Sequence, residues 1–528
     1  MRERLSSRST LIPVAAVALL LVSFFLAAGM HRVLTVIPDD AAYYFKIAQN
    51  VSEGAGLTFD RINRTNGFHP LWLYLLVPVY RFVHGSPETM CRIVLVFATV
   101  LLAAAGLLLN SYLARSFSRR AVVVSLLVFT FFVFIPGANG MESAVLVLIL
   151  AALLVTGSAA GIFWRSGGPG EAGFGALLGF LVLSRLDMVF VPLVVLAYAF
   201  VRAVASRGRR WQRLAQATFV LGGFAAVVSP YLIYNRVSFG AVMPISGALK
   251  SSFPAVTLSG YALTTLGKRG WLGVLMALGY LVWRLARRGA ALGERGEAGY
   301  FRTAMSLMAL AIVLHFLYAV FFMKWAIFNW HYIPYAFFGA VMICEPMNRL
   351  LSRADSMRSS VLYWSVVTVL VVLGVVTAAR NLNQSPDRNW RIAAYDAARW
   401  VRQNTAREAV LAMKDAGNLG YFSERRVINL DGVVNNLEYQ AALRTKSLES
   451  YLAIKGVRYY VQHAFWDRPD VSSGDYDSYA VSFWSHRFES ASDSLVLRRA
   501  DEVYRSRPYF DGPIKTALVI WKLPPVAR

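Results

Sequence analysis

Long apolar runs recur along most of this chain, and they limit its fold more than any other feature. A helix needs about 20 apolar residues to cross the hydrocarbon core of a bilayer. Candidate spans lie near 11–30, 91–113, 121–136, 142–158, 172–184, 187–203, 214–234, 271–285, 304–322, 331–348 and 361–379. A soluble domain cannot cover so much apolar surface. The sequence therefore predicts a polytopic α-helical membrane protein with about eleven spans.

The charge of the chain agrees with a membrane location. Only 16% of the 528 residues are charged, against about 25% in an ordinary soluble protein. Lys and Arg outnumber acidic residues 54 to 30, which can also indicate a nucleic-acid protein. Most of this excess, however, lies between apolar runs, where cytoplasmic loops collect basic residues. The composition excludes a soluble enzyme, and no nucleic-acid partner is expected.

The arginine clusters between the apolar runs predict the orientation. They are Arg2/Arg4/Arg8, Arg115/Arg119/Arg120, Arg202/Arg207/Arg209/Arg210/Arg213, Arg284/Arg287/Arg288/Arg295/Arg302 and Arg349/Arg353/Arg358. If all five clusters are cytoplasmic, an even number of spans must separate each pair, and the candidate spans satisfy this. The outward-facing segments are then 31–90, 136–142, 184–187, 235–270, 323–331 and 380–528. We expect a multi-pass protein of the cytoplasmic (inner) membrane, with its N-terminus in the cytoplasm and its C-terminal region outside.

Two segments qualify this picture. Residues 1–30 also fit a cleaved signal peptide, although the run is long enough to remain as an anchor. Residues 69–83 are apolar but short and contain two prolines, which favours an interfacial helix in the first outer loop. We therefore predict a membrane module over 1–379, with interfacial helices in the outer loop 31–90.

The polar remainder, 380–528, is predicted to be a small extracytoplasmic α/β domain. Short apolar runs at 409–413, 426–430 and 457–461 are typical of strands, and stretches at 389–403 and 445–455 are typical of helices. The sequence NLDG at 429–432 is a turn signal after a strand.

The adjacent acidic residues Asp39 and Asp40 directly follow the first span. Carboxylates at a membrane face are expensive unless they function, bind a metal or are well solvated. One of them could accept a proton from a hydroxyl nucleophile, and the pair with Glu142 could bind a divalent cation. The structural alternative is a pair of N-terminal residues that stabilise a helix over 41–52.

Cations and other polar side chains gather on the same predicted face. The candidates for binding a lipid-linked phosphate are Arg92, Arg185, Lys250, Lys324 and His331, and those for binding an acceptor or supporting the site are Tyr43, Tyr44, His69, Glu142 and Asp187. Cations at membrane depth suit a phosphate held on a lipid chain. Several of them also have a structural alternative. Arg92 can reach lipid headgroups, and Arg185 and Asp187 can form an ion pair. Lys250 can be a solvated loop lysine, His331 an interfacial histidine with a satisfied hydrogen bond, and Glu142 a carboxylate at a helix N-terminus.

The first outer loop resembles that of a known enzyme class. The stretches DDAAYYFKIAQNVSEGAGLTF at 39–59 and TNGFHPLW at 65–72 resemble the GT-C class of membrane glycosyltransferases, especially the bacterial cell-wall arabinofuranosyltransferases. They are more distantly similar to the protein O-mannosyltransferases and the lipid A aminoarabinose transferase. The resemblance implies that Asp39 or Asp40 is the catalytic base and that Arg92 belongs to the active site. The HPLW segment lacks the second proline of the O-mannosyltransferases.

We therefore expect an inverting glycosyltransferase that moves a sugar from a polyprenyl-phosphate donor to a hydroxyl. The acceptor would be a cell-envelope glycan, a lipid or a protein, and membrane lipids are further partners. No cofactor is implied with certainty, and a divalent cation stays open. The main alternative is a transporter or flippase for a lipid-linked saccharide, although the repeats and broken helices typical of transporters are not evident. A scaffold that only presents the outer domain would leave Asp39–Asp40 unexplained.

Overall fold

The computed structural model describes residues 9–162, 169–206, 208–258, 260–286, 296–353, 356–382, 389–465, 478–485, 491–511 and 513–524. The helices up to residue 382 are α1 Ile12–Ala27, α2 Met30–Leu34, α3 Asp39–Ser52, α4 Pro70–Phe82, α5 Pro87–Leu113, α6 Arg119–Phe129, α7 Ile135–Gly137, α8 Ser143–Ala160, α9 Pro169–Ser184, α10 Phe190–Ala205, α11 Arg210–Phe239, α12 Ile245–Lys250, α13 Gly260–Ala286, α14 Gly296–Phe322, α15 Ile333–Met342, α16 Cys344–Arg353 and α17 Ser356–Leu382. A π-helical turn, Thr130–Phe134, joins α6 to α7.

Eight helical stretches in the described part of the chain are long and apolar enough to cross a membrane. They are Ser9–Ala27, Pro87–Leu113, Arg119–Gly137, Ser143–Ala160, Leu186–Ala205, Arg210–Phe239, Gly296–Phe322 and Met357–Arg380. They coincide with eight of the eleven predicted spans, and the prediction of a multi-pass helical membrane protein is confirmed. The other three predicted spans coincide with shorter helices: Pro169–Ser184, Trp271–Ala286 and the pair α15 and α16, which is interrupted at Ile343.

Glycines allow two of the apolar helices to pack very closely. A Cβ atom on Gly175 of α9 would lie 2.0 Å from the carbonyl oxygen of Val220 on α11, and one on Gly223 of α11 would lie 2.0 Å from that of Ala172. Small residues at such crossings let backbones approach, which is a main source of helix association in membranes.

The C-terminal region forms the predicted mixture of strands and helices. Its helices are α18 Trp390–Asn404, α19 Gly417–Phe422, α20 Leu437–Arg444 and α21 Leu448–Ile454; its strands are β1 Val410–Met413, β2 Arg426–Asn429, β3 Val457–Phe465, β4 Ser478–Trp484, β5 Ser492–Arg498, β6 Glu502–Arg505, β7 Tyr509–Asp511 and β8 Ile514–Lys522. The main sheet has the order β2-β1-β3-β8-β6, with β7 also paired to β8, and β4 pairs with β5. All three predicted strands and both predicted helices are present.

The connections within this sheet change direction at β1. Strand β1 is parallel to β2 on one side and to β3 on the other. The chain runs from β1 through α19 to β2, and then returns through α20 and α21 to β3 across β1. The carboxyl ends of β1, β2 and β3 therefore share one edge of the sheet.

The segment 31–90, the predicted first outer loop, packs tightly against the C-terminal region. A Cβ atom on Gly67 would lie 1.7 Å from the carbonyl oxygen of Val433, and one on Gly417 would lie 2.1 Å from that of Asp39. Helix α3 is largely buried by this contact, and one hydrophobic core extends from Phe45 of α3 to Leu411 of β1. The loop and the sheet thus hold each other in fixed positions.

Candidate functional site

A pocket lies where all six segments that were predicted to face outward come together. It is a partly open cleft with about 520 Å³ of space between protein atoms, part of which is continuous with solvent. Its lining consists of Asp40, Tyr43, Tyr44, Gly67, Phe68, His69, Met141, Glu142, Arg185, Ser246, Lys250, Trp330, His331, Val433 and Val434. Eight of the twelve predicted site residues are among them, while Asp39, Arg92, Asp187 and Lys324 are not.

The two adjacent aspartates have different surroundings. Helix α3 begins at Asp39, so both lie in its first turn. The carboxylate of Asp39 accepts hydrogen bonds from the backbone amides of Gly417 and Asn418, each at 2.7 Å. Asp39 is buried, and burial raises its pKa, although these two amides act in the opposite direction. Asp39 therefore anchors the start of α19 rather than facing the pocket.

Asp40 lines the pocket and keeps part of its surface accessible. Desolvation is the largest influence on its carboxyl group and raises its pKa. The charge of Lys250 opposes this effect, whereas the charge of Asp431 adds to it. A carboxylate with a raised pKa that faces an open cavity is suited to accept a proton.

Lys250 is a cation of the pocket that, unlike Arg185, does not form a close ion pair with a described carboxylate. It ends the short helix α12, and its ammonium lies 6.0 Å from the ring centre of Trp325. Among the described residues, no carboxylate lies within 4.0 Å of it. It can therefore neutralise an anion that enters the pocket.

Arg185, by contrast, is held by a buried ion pair. Its Nε and Nη2 atoms donate to the two carboxylate oxygens of Asp187 at 3.0 and 2.6 Å, and its Nη1 atom donates to the carbonyl oxygen of Trp330 at 2.8 Å. The Nε2 atom of His315 lies 3.3 Å from the same Asp187 carboxylate, and its Nδ1 atom lies 2.6 Å from the hydroxyl of Tyr335. Asp187 thus fixes the orientation of Arg185 at the pocket wall.

Two further polar groups of the pocket retain hydrogen-bonding capacity. The Nδ1 atom of His69 accepts from the backbone amide of Leu186 at 3.3 Å, so the neutral ring carries its proton on Nε2. Desolvation, followed by the charge of Arg185, lowers the pKa of His69 to about 3, and the ring is neutral at physiological pH. Glu142 is buried, its Oε1 lies 3.8 Å from Nη1 of Arg185, and its Oε2 has no hydrogen-bond partner among the residues that the structure describes.

Tyr43 joins the outer loop to the turn after β2. Its hydroxyl donates to Oδ2 of Asp431 at 3.0 Å and accepts from Nδ2 of Asn429 at 3.0 Å and from the amide of Ala416 at 3.1 Å. A tyrosine hydroxyl has one proton and two lone pairs, so all of its capacity is used. Tyr43 has a supporting role, and Tyr44 likewise accepts from the amide of His69 at 3.3 Å.

The structure places two predicted cations away from the pocket lining. The guanidinium of Arg92 donates to the carbonyl oxygens of Phe25 and Ala28, the latter at 2.7 Å. It thereby satisfies carbonyl groups at the C-terminal end of α1. The amide of Lys324 donates to the carbonyl oxygen of Lys250 at 3.0 Å, which places Lys324 beside the pocket through its backbone.

A metal site does not emerge from the described side chains. In the ranges given above, no group of three or more His, Cys, Asp and Glu residues is arranged to hold a metal ion. Asp39, Asp40 and Glu142, the predicted ligand set, are separated because Asp39 faces α19.

The C-terminal region contributes residues that are not among the candidates predicted from the sequence. Val433 and Val434 line the pocket, and Asp431 and Asn429 bind Tyr43. The sequence NLDG at 429–432 by itself indicates only a turn. A useful signal was present, because polar residues follow the two predicted strands 409–413 and 426–430, and parallel neighbours end at a common edge.

The overall fold of this chain is represented among solved structures. Two solved structures of ArnT from Cupriavidus metallidurans share it. The structure bound to undecaprenyl phosphate has a TM-score of 0.56 and 11% identity, and the apo structure has a TM-score of 0.54 and 12% identity. Each alignment covers 94% of this chain and 97% of the other. The resemblance to the GT-C class is thus confirmed at the level of the fold.

Sequence comparisons add a family for the C-terminal region. Residues 381–504 match the family described as "Domain of unknown function (DUF8728)". A search of curated proteins found no match to this sequence.

Proposed function

We propose that this protein is an inverting glycosyltransferase that uses a polyprenyl-phosphate sugar as its donor. The observation that carries the proposal is the placement of Asp40 and Lys250 in one pocket, formed by loops at one end of the apolar helices. The GT-C fold supports it, as does the undecaprenyl phosphate bound to the ArnT structure of the same fold. The pocket would face the outer side of the cytoplasmic membrane, where the arginine clusters predict the outer loops to be.

In the proposed reaction, the oxygen of an acceptor hydroxyl attacks the anomeric carbon of the donor sugar. The bond from that carbon to the phosphate oxygen breaks, and its electron pair leaves with the lipid phosphate. The hydroxyl proton passes to the carboxylate of Asp40, whose raised pKa suits this role. A single displacement of this kind inverts the configuration at the anomeric carbon.

The cations act on the leaving phosphate. Lys250 supplies a positive charge that has no described carboxylate within 4.0 Å, and the fixed Arg185 adds hydrogen-bond donors at the wall. The proton on Nε2 of neutral His69 is a further donor. Preorganised donors directed at developing negative charge lower the barrier without reorganisation during the reaction.

The test is sugar release and transfer by purified protein in lipid nanodiscs. Radiolabelled polyprenyl-phosphate arabinose, mannose, galactose and glucose are supplied separately. We expect turnover of one donor and a loss of about 10²–10⁴-fold in Asp40→Asn, the range for removal of a general base. Glu53→Gln, an exposed carboxylate just past the other end of α3, is the matched control and should keep the rate.

The competing function is transport of a lipid-linked saccharide. Binding of the donors without turnover, together with their movement between leaflets, would favour the transporter and contradict the enzyme. Retained turnover in Asp40→Asn would contradict the assigned base.

A further inference from the structure

The edge of the C-terminal sheet that faces the pocket carries two acidic loops. In the parallel pair β1 and β2, Met413 lies opposite Asn429. Asp415 and Asp431 are each two residues beyond these paired positions. The two loops therefore leave the sheet side by side, at its carboxyl edge.

Ligands of parallel α/β sheets bind outside the carboxyl ends of the strands, where neighbouring connections run to opposite sides. Strand β1 meets this condition, because the chain passes from it to β2 on one side and later returns to β3 on the other. The pocket occupies that position, since Val433 and Val434 from the loop after β2 line it together with Asp40. The topology and the cavity independently indicate the same place.

The carboxylate of Asp431 is fixed and that of Asp415 is not. Asp431 accepts from Tyr43 at 3.0 Å, from Nδ2 of Asn429 at 2.9 Å and from the amide of Val433 at 2.9 Å. Asp415 is exposed, and no hydrogen bond or ion pair of its side chain is found in the described part of the chain. The neighbouring Lys414 turns towards β4, where its ammonium donates to the carbonyl oxygen of Ser482 at 2.7 Å.

The surroundings of the pocket consequently have two electrostatic sides. Lys250 and Arg185 line the pocket from the membrane part. Asp415 and Asp431 lie outside its lining, on the C-terminal loops, and are close enough that the charge of Asp431 acts on Asp40 and that of Asp40 acts on Asp415. The charges of Asp431 and Asp40 act on the carboxyl group of Asp415, so these three acidic groups influence one another. A donor phosphate is attracted to the first side and repelled by the second.

We propose that the loops after β1 and β2, carrying Asp415 and Asp431, form the acceptor side of the pocket, and that this side selects neutral or amine-bearing hydroxyl compounds over anionic ones. The inference rests on the proposed transferase function and assigns to the C-terminal region the choice of acceptor. Asp431 acts as a positioning residue through Tyr43 and Val433, and Asp415 acts directly through its charge.

The experiment uses three soluble probes of one shape and different charge: methyl glucoside, methyl glucosaminide and methyl glucoside 6-phosphate. The full-length protein in nanodiscs receives the donor that it turns over, and both transfer to each probe and release of sugar to water are measured. We expect at least tenfold more efficient transfer to the neutral and amine-bearing probes than to the phosphate-bearing one. Asp415→Asn should reduce this preference at least threefold.

One control and one further variant keep the outcome interpretable. Glu408→Gln removes an exposed carboxylate ahead of β1, at the opposite edge of the sheet, and should leave the preference unchanged. Asp431→Asn retains an acceptor oxygen for Tyr43 or Val433 and should alter the KM for the probe more than the rate of sugar release to water.

Several results would overturn the assignment. Equal or better transfer to the phosphate-bearing probe contradicts it, as does a preference that Asp415→Asn and Asp431→Asn both leave intact. Sugar release to water without transfer to any probe contradicts an acceptor side at these loops but leaves the transferase function standing. Absence of sugar release from every donor removes the transferase function and this inference together.

Discussion

The different roles of Asp39 and Asp40 lead to a prediction that stability measurements can resolve. In Asp39→Asn, the amide keeps one oxygen for one of the two backbone donors, Gly417 and Asn418, and turns an N–H group towards the other. A hydrogen bond to a charged group contributes about 1.5–3 kcal/mol. Part of this loss is offset because a neutral amide costs less to bury than the carboxylate of Asp39, whose pKa is raised by burial. We therefore expect a net loss of about 2 kcal/mol in the stability of this contact.

A loss of this size makes opening of the start of α19 roughly 30-fold more frequent. Hydrogen–deuterium exchange of peptides that cover Gly417 and Asn418 measures that opening. We expect exchange to accelerate by about this factor in Asp39→Asn and to stay unchanged in Asp40→Asn and in the control Glu53→Gln. Sugar release should show the reverse pattern, with the great loss in Asp40→Asn.

The assignment fails if Asp39→Asn abolishes turnover while exchange at residues 417 and 418 stays slow. In that case the carboxylate of Asp39 would take part in the reaction, and its bonds to α19 would be incidental.

Three further predictions concern single residues. Lys250→Met should raise the KM for the donor at least tenfold, because the pocket loses the charge that faces the phosphate; an unchanged KM would assign that role elsewhere. Arg92→Leu should lower the unfolding temperature, since the carbonyl oxygens of Phe25 and Ala28 lose their donors at about 1–3 kcal/mol in all, while turnover per folded molecule is retained. His69 has a pKa of about 3 in the fold against about 6.5 when unfolded, so the unfolded state binds the extra proton and stability is lost as pH falls from 6.5 towards 3. His69→Gln should lessen that loss in acid thermal-unfolding series, and no inflection from His69 should appear in pH–rate profiles between 5 and 8.

The general architecture could be predicted from the sequence because it depends on local patterns. The length of the apolar runs predicted the spans, and the arginine clusters assigned to one predicted face the six segments that the structure brings into one pocket. Span 331–348 was less accurate, because hydropathy does not register the interruption at Ile343, where α15 ends and α16 begins with Glu345 and Pro346 in its first turn.

The individual roles could not be predicted because they depend on distant partners. Asp39 and Asp40 are indistinguishable by composition and spacing; only the packing of α19 shows which of them is bound by backbone amides. Arg92 at the start of a span suits a headgroup, a phosphate or a helix end equally well, and its carbonyl acceptors exist only after α1 has packed against α5. Asp415 and Asp431 become neighbours only when β1 and β2 pair.

The bonds from Asp39 to Gly417 and Asn418 also bear on how the protein is made. They join residues that are 378 and 379 positions apart. At about 5–20 residues per second, ribosomes need roughly 20 to 75 seconds to deliver the second partner after the first. During that interval the carboxylate of Asp39 and the hydroxyl of Tyr43 lack their final partners. A polypeptide interrupted before residue 417 would therefore leave these two polar groups unpaired and the start of α3 uncovered, where membrane proteases could reach it.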